Sequence, residues 1–231
     1  HDEDTSIKNP WYLMYIEEAG FGGMCGASIG DPQKESQIVG RIKLKVDHIK
    51  RVAIMSRKIA QNLNLDEEYI RLAELIGLFH DIGRFKQADL YDTFNDRISV
   101  NHAELSVKVL FDENLIDNFN VAEKYKKIIK LAVLNHNKNR IDDNLTDEEM
   151  LFAKIIRDAD KIDNFRVKEK DSLKDMFPKI YNEETINYEK ISQNVYETFL
   201  SQKCIKLEDR KTIIDYWVCV IAFIFDLNFD I

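Results

Sequence analysis

The run Leu75-Ile76-Gly77-Leu78-Phe79-His80-Asp81-Ile82-Gly83-Arg84-Phe85 is an apolar helical stretch that delivers an imidazole and a carboxylate side by side. Gly83 is expected to let the backbone turn away immediately afterwards. A His-Asp pair at the wet end of an otherwise buried helix is costly unless something holds both groups. A divalent metal is the usual answer. The remaining chain must then supply further ligands from a compatible scaffold. With only three prolines and eight glycines, five of them between Gly20 and Gly30, and no strand-like alternation, that scaffold reads as helical. The fold class expected is all-α: a single compact helical domain with its metal site in the helical core.

Charge and cysteine usage narrow the partners. A formal net charge of -8 over 231 residues argues against a long nucleic acid as partner. A small phosphorylated molecule is compatible, because a metal supplies local positive charge. Cys25, Cys204 and Cys219 are widely spaced and form no CxxC pair, which points to a reducing compartment and away from a disulfide framework. The acidic start His1-Asp2-Glu3-Asp4 is unlike a secretory signal. The apolar run Tyr216–Phe225 is about half of the ~20 residues a bilayer span needs. A cytoplasmic protein with no membrane partner is expected.

Residues 1–36 read as an N-terminal extension, flexible or lid-like, and 37–231 as the helical domain. The extension joins an aromatic stretch, Trp11 to Ile16, to the Gly-rich segment Ala19 to Gly26. That segment is not a dinucleotide fingerprint, because Cys25 stands where the third glycine is needed. From Ile38 one helical stripe is Ile42, Val46, Ile49 and Ala53, and a second is Leu44, His48, Val52, Met55 and Ile59. Asp66 is an N-cap with Glu67 and Glu68 in the first turn. Residues 84–98 mix charges and aromatics and read as an irregular excursion. Asn101-His102 opens another helix, followed by Val107 and Leu110. Asn120-Val121-Ala122-Glu123 has capping-box chemistry, and the helix after it aligns Tyr125, Ile128, Ala132 and His136. Thr146 to Glu149 is a second capping signal, before a helix that aligns Ala153, Ile156 and Asp160. After a charged stretch up to Pro178, two helices are marked by Ile191, Val195 and Phe199 and by Ile213 to Phe225. The uncapped apolar end at Ile231 reads as a truncation.

With His1 set aside, the histidines are His48, His80, His102 and His136, and each falls on an inward face or at a helix end. Asp81 and Asp160 occupy comparable places. Four imidazoles and two carboxylates suit one or two transition ions, manganese or iron first, with cobalt, nickel or zinc as further options. Neutral nitrogens bind without cancelling the ion's charge, a carboxylate can bridge two ions, and the ions acidify a shared water.

The order and spacing resemble the HD-domain superfamily of metal-dependent phosphohydrolases, whose motif H…HD…D is met by His48, His80, Asp81 and Asp160. The resemblance covers roughly residues 38–227. It extends to binuclear members such as the HD-GYP cyclic-dinucleotide phosphodiesterases, which add histidines matched here by His102 and His136. It implies that His48, His80, Asp81 and Asp160 hold a first metal, and that Asp81 bridges to a second held by His102 and His136. Arg84 stands where HD-GYP proteins carry a phosphate-facing lysine, and a guanidinium can grip two phosphate oxygens. The Gly-Tyr-Pro extension is absent, so cyclic di-GMP is not implied. A paired His-His of that group is here Asn135-His136. Arg84 also replaces the glutamate of the mononuclear 5'-deoxynucleotidase branch, which argues against that subtype.

The reaction implied is hydrolysis of a phosphoester or phosphoanhydride in a small nucleotide-like substrate, with a metal-bridging hydroxide as nucleophile. Asp81 and Arg84 are the catalytic candidates. Arg84, Lys86, Asn101 and Lys138 are the substrate-binding candidates, with Arg97 and Arg140 as further cations near the motif; each of these surface groups also suits a solvated charge or a cap. Two rivals use the same ligand set: a di-iron oxygenase on this scaffold, marked by substrate-dependent oxygen uptake, and a non-catalytic nucleotide sensor, marked by binding without turnover. The sequence leaves substrate identity, native metal and oligomeric state open, since the apolar C-terminal helix suits a dimer as well as a core.

Overall fold

The computed structural model describes residues 32–170 and 190–230. The aromatic and Gly-rich readings at Trp11–Gly26, and the charged stretch from residue 171 through Pro178, lie outside the described residues. All regular structure within them is helical, as the scarcity of breakers requires. The chain divides into two compact units, residues 1–156 and 157–231.

In the first unit α1 runs Pro32–Asn62 and α2 Glu67–Phe79. Asp66 caps α2 by accepting from the Tyr69 amide at 2.8 Å, as its sequence position predicts. Ile42, Val46, Ile49, Val52, Ala53 and Ile59 are buried along α1, and Ile70, Leu72, Ala73, Leu75, Ile76 and Leu78 along α2. Leu44, which the second stripe counts as inward, is 69% exposed. The apolar arc of α1 is therefore narrower than periodicity alone suggests. The two helices touch backbone to backbone at Gly77: a Cβ there would stand 2.6 Å from Ala53 Cα and 3.0 Å from Ser56 Oγ. Alanine at 77 would have to push α1 away, an overpacking cost of about 1–3 kcal/mol.

His80, Asp81 and Ile82 form a tight turn, and α3, Gly83–Tyr91, starts at once. This replaces the first part of the irregular excursion expected over residues 84–98; residues 92–95 are irregular as expected. The pattern concealed a helix because its buried members are Gly83, Phe85 and Gln87, one of them polar. Gly83 also differs from expectation. No described glycine has a positive φ, so it is not a conformational hinge. Its missing side chain admits the next helix, α4, His102–Val107: a Cβ would lie 2.4 Å from Ser106 N and 2.7 Å from His102 O. The Gly83 amide donates to Ser106 Oγ at 2.9 Å, and that hydroxyl donates to the His80 carbonyl at 2.9 Å. One serine thus satisfies both ends of the turn that carries the His-Asp pair.

α5, Glu123–Asn135, buries Tyr125, Ile128, Ile129, Ala132 and Val133, which delivers His136 at its C-terminal cap. Its N-cap is Ala122 with no side-chain bond, so the box expected at Asn120 does not form. Asn120 instead takes a left-handed conformation, φ 43°, which asparagine tolerates. α6, Asp147–Lys170, opens with the box read from the sequence: the Glu149 amide donates to Thr146 Oγ1 at 3.3 Å and the Thr146 amide to Glu149 Oε2 at 2.9 Å.

The second unit contains the remainder of α6 with α7, Gln193–Leu200, and α8, Ile213–Ile221. Val195, Ile205, Cys219 and Ala222 form its core, with Ile191, Phe199, Val218, Phe223 and Phe225 packed against them. The end of the chain is tied down by Asp158, which accepts from the Asn228 and Phe229 amides at 2.8 and 3.0 Å. No helix among the described residues is long and apolar enough to cross a membrane.

Candidate metal centre

Five of the six ligands read from the sequence meet in the first unit. His48 comes from α1, His80 and Asp81 from the turn after α2, His102 from the first residue of α4, and His136 from the cap of α5. All five are buried. Their ligand atoms fall into two groups that share Asp81: His48, His80 and Asp81, then Asp81, His102 and His136, each with atoms within 4.8 Å of one another.

Asp81 divides its two oxygens between the groups. Oδ2 lies 3.7 Å from both His48 Nε2 and His80 Nε2. Oδ1 lies 3.3 Å from His102 Nε2 and 3.7 Å from His136 Nε2. A carboxylate with one oxygen turned to each imidazole pair has the form of a bridging ligand.

Tautomer logic shows what the second pair lacks. His136 Nδ1–H donates to the Val133 carbonyl at 2.7 Å, and His102 Nδ1–H donates to Asp96 Oδ2 at 2.6 Å. In a neutral imidazole the other nitrogen then carries a lone pair. His102 Nε2 and His136 Nε2 face each other at 2.9 Å with no proton between them to share. The buried Asp81 Oδ1 beside them accepts no hydrogen bond from the described residues. Two lone pairs and an anionic oxygen in mutual contact repel unless a cation lies among them. His80 repeats the pattern on the other side, donating Nδ1–H to the Gly77 carbonyl at 2.7 Å and turning Nε2 toward His48 Nε2 at 3.4 Å. Nitrogen and carboxylate donors in this mixture suit a divalent transition ion.

Local electrostatics keep the set ready to bind. Burial pushes the Asp81 carboxyl up, but the Lys45 ammonium and the surrounding imidazoles outweigh it and hold the group well below the usual carboxylate range. Burial pushes His102 down, opposed by Asp81 and Asp96, so the neutral ring that a metal requires is favoured.

Two residues of this centre were not read from the sequence. Lys45 donates Nζ–H to Asp81 Oδ2 at 3.0 Å. It lies one helical turn before His48, and that i, i+3 spacing was the available signal. Asp96 orients His102 and is itself fixed by Arg84 Nη1 at 2.7 Å and Gln87 Nε2 at 3.0 Å. Burial raises the Asp96 carboxyl, but these partners, His102 foremost, drive it far below its ordinary value. No spacing announces it, because it reaches His102 from a loop.

The other candidates are placed as follows. Arg84 Nε lies 3.6 Å from Asp81 Oδ1, and its Nη1 is shared by Gln87 Oε1, the Phe94 carbonyl and Asp96. Asn101 Oδ1 caps α4 by accepting from the Ala103 amide at 2.9 Å, and it also accepts from Asn137 Nδ2 at 2.8 Å. Lys86 pairs with Glu113, Lys138 with Asp142 and Arg140 with Asp143. The Arg97 amide donates to Asn95 Oδ1 at 3.0 Å. Asp160 belongs to the second unit; it is half-buried and accepts from Asn164 Nδ2 at 3.1 Å, whereas its neighbours Asp158 and Asp163 are buried.

A fold of packed helices that gathers four imidazoles around one buried carboxylate presents a donor set that could hold a metal ion. The HD-domain family model matches residues 46–164, just over half of the chain, and the protein belongs to that family. Comparison with curated proteins and with solved structures gives no match.

Proposed function

We propose that this protein is a metal-dependent phosphohydrolase that cleaves a phosphoester or phosphoanhydride bond in a small nucleotide-like substrate. The observation that carries the reading is the opposition of His102 Nε2 and His136 Nε2 at 2.9 Å over a carboxylate oxygen with no hydrogen-bond donor among the described residues. With the His48–His80 pair on the other oxygen of Asp81, this donor set fits one or two divalent transition ions, manganese or iron foremost. The motif of the resemblance adds Asp160 as a ligand, an assignment that rests on the sequence alone. When bound, such ions polarise phosphoryl oxygens and lower the pKa of a coordinated water toward neutrality.

The chain's own residues do the rest. His48, His80, His102 and His136 each offer one nitrogen without adding negative charge, so the site stays electropositive toward a phosphate. The Gly77 and Val133 carbonyls and the Asp96 carboxylate hold three of the rings in the tautomer that presents Nε2. Arg84, fixed through Nη1, supplies positive charge beside Asp81, where charge develops on the phosphoryl group. The net charge of -8 leaves a long polyanion disfavoured as substrate.

The test is hydrolysis of a panel of phosphorylated metabolites by manganese- and iron-loaded protein, with His80→Ala as control. The panel spans mononucleotides, dinucleoside polyphosphates, guanosine tetraphosphate and cyclic dinucleotides. Turnover that disappears in the control is the expected result. Silence across the panel with metal confirmed bound overturns the reading.

A further inference from the structure

Two cations flank Asp81, and they differ in how they are held. Arg84 is tied to three acceptors through Nη1, and its side chain is 14% exposed. Lys45 has a side chain 25% exposed, and among the described residues its ammonium donates to Asp81 Oδ2, with the Phe94 ring 6.0 Å away. The more tightly held cation lies on the His102–His136 oxygen of Asp81 and the more exposed one on the His48–His80 oxygen.

The charge balance gives Lys45 a purpose. An ammonium and a divalent ion compete for the same carboxylate oxygen, and at contact distance they repel each other. A lysine at that point opposes metal binding unless an anion comes between the two positive charges. Its four-carbon stem and partial exposure let Nζ leave Asp81 Oδ2 while staying beside it. We propose that Lys45 is the phosphate-gripping cation of this centre: it yields Asp81 Oδ2 to the metal and donates to a non-bridging phosphoryl oxygen of the substrate, while Arg84 provides fixed positive charge and positions the Asp96–His102 pair. This assignment rests on the phosphohydrolase reading but is tested by binding rather than turnover.

The experiment is calorimetry on wild type, Lys45→Met and Lys45→Arg, titrated first with manganese and then, once loaded, with orthophosphate. In Lys45→Met, manganese affinity rises severalfold because a competitor for Asp81 is gone. Orthophosphate affinity falls about tenfold or more, as expected for losing one charge-assisted hydrogen bond, and Lys45→Arg restores most of it. A merely structural lysine would move both affinities down together, or neither; either result overturns the proposal. The two readings fail separately. If wild type hydrolyses no phosphoester yet Lys45→Met loses phosphate, the hydrolase reading falls and Lys45 stands. If wild type is a hydrolase and Lys45→Met keeps its phosphate affinity, the reverse holds.

Discussion

Asp81 in the first unit and Asp215 in the second are both buried carboxylates held below the ordinary range. Their surroundings have opposite designs. Asp215 accepts from the Ser192 amide at 2.8 Å, Ser192 Oγ at 2.6 Å, the Lys211 amide at 2.9 Å and the Thr212 amide at 3.0 Å. It also forms a capping box with Thr212 at the start of α8. Asp81 has Lys45 on one oxygen, no hydrogen-bond donor to the other among the described residues, and four imidazole nitrogens gathered near it. A buried charge met by fixed donors holds a fold together. A buried charge ringed by lone pairs awaits a ligand.

The largest expected effect breaks the comparison directly. Asp81→Asn lowers manganese affinity by more than the ten- to hundredfold typical of losing a supporting partner, and it lowers stability less than a change at Asp215. Asp215→Ala leaves manganese affinity as it was and costs about 3 kcal/mol of stability, because several buried donors lose their acceptor. Calorimetry and urea unfolding on both variants read the crossed pattern; a large loss of manganese affinity in Asp215→Ala would erase the distinction.

Asp96→Asn sharpens it at intermediate size. An amide in place of the carboxylate weakens the hold on His102 Nδ1–H, and manganese affinity falls about tenfold while unfolding by urea changes little. An unchanged affinity would mean that His102 is oriented by packing alone.

The smallest effect concerns acid. Burial raises the Asp215 carboxyl, but its four bonds from Ser192, Lys211 and Thr212 bring it below its unfolded value. Its stabilising contribution is therefore fully present above the unfolded pKa of about 3.9 and is lost as pH falls through the lower folded value. Metal-free Asp215→Asn should show a shallower loss of stability below about pH 4 than wild type. Equal slopes in acid titrations followed by circular dichroism would assign that loss to other carboxylates.

The helices, and the inward placement of the candidate ligands His48, His80, Asp81, His102 and His136, were legible for a simple reason: both depend on short-range pattern. Apolar spacing located the buried faces around His48 and His136, and polar chemistry at Asp66 and Thr146 located two caps correctly. Apart from the capping box expected at Asn120, the errors fall where the partner is remote in sequence. Leu44 fits a stripe but faces outward, because the α1–α2 contact is set by Gly77 against Ala53 rather than by the width of the stripe. Residues 83–91 are helical although their burial includes a glutamine, Gln87, whose amide is satisfied by Asp96, Ser99 and Val100. Gly83 was read as a turn and is a close-approach site.

By itself, then, the sequence determined an all-helical chain with inward imidazoles and a His-Asp pair at a helix end, since residue type and spacing of a few positions suffice for that. Only the tertiary structure decided that Asp81 turns one oxygen to each histidine pair, that Asp96 sets the tautomer of His102 and that Lys45 donates to Asp81. Those relations join side chains brought together by helix packing and loops, and a lone pair has no direction until its ring has a neighbour.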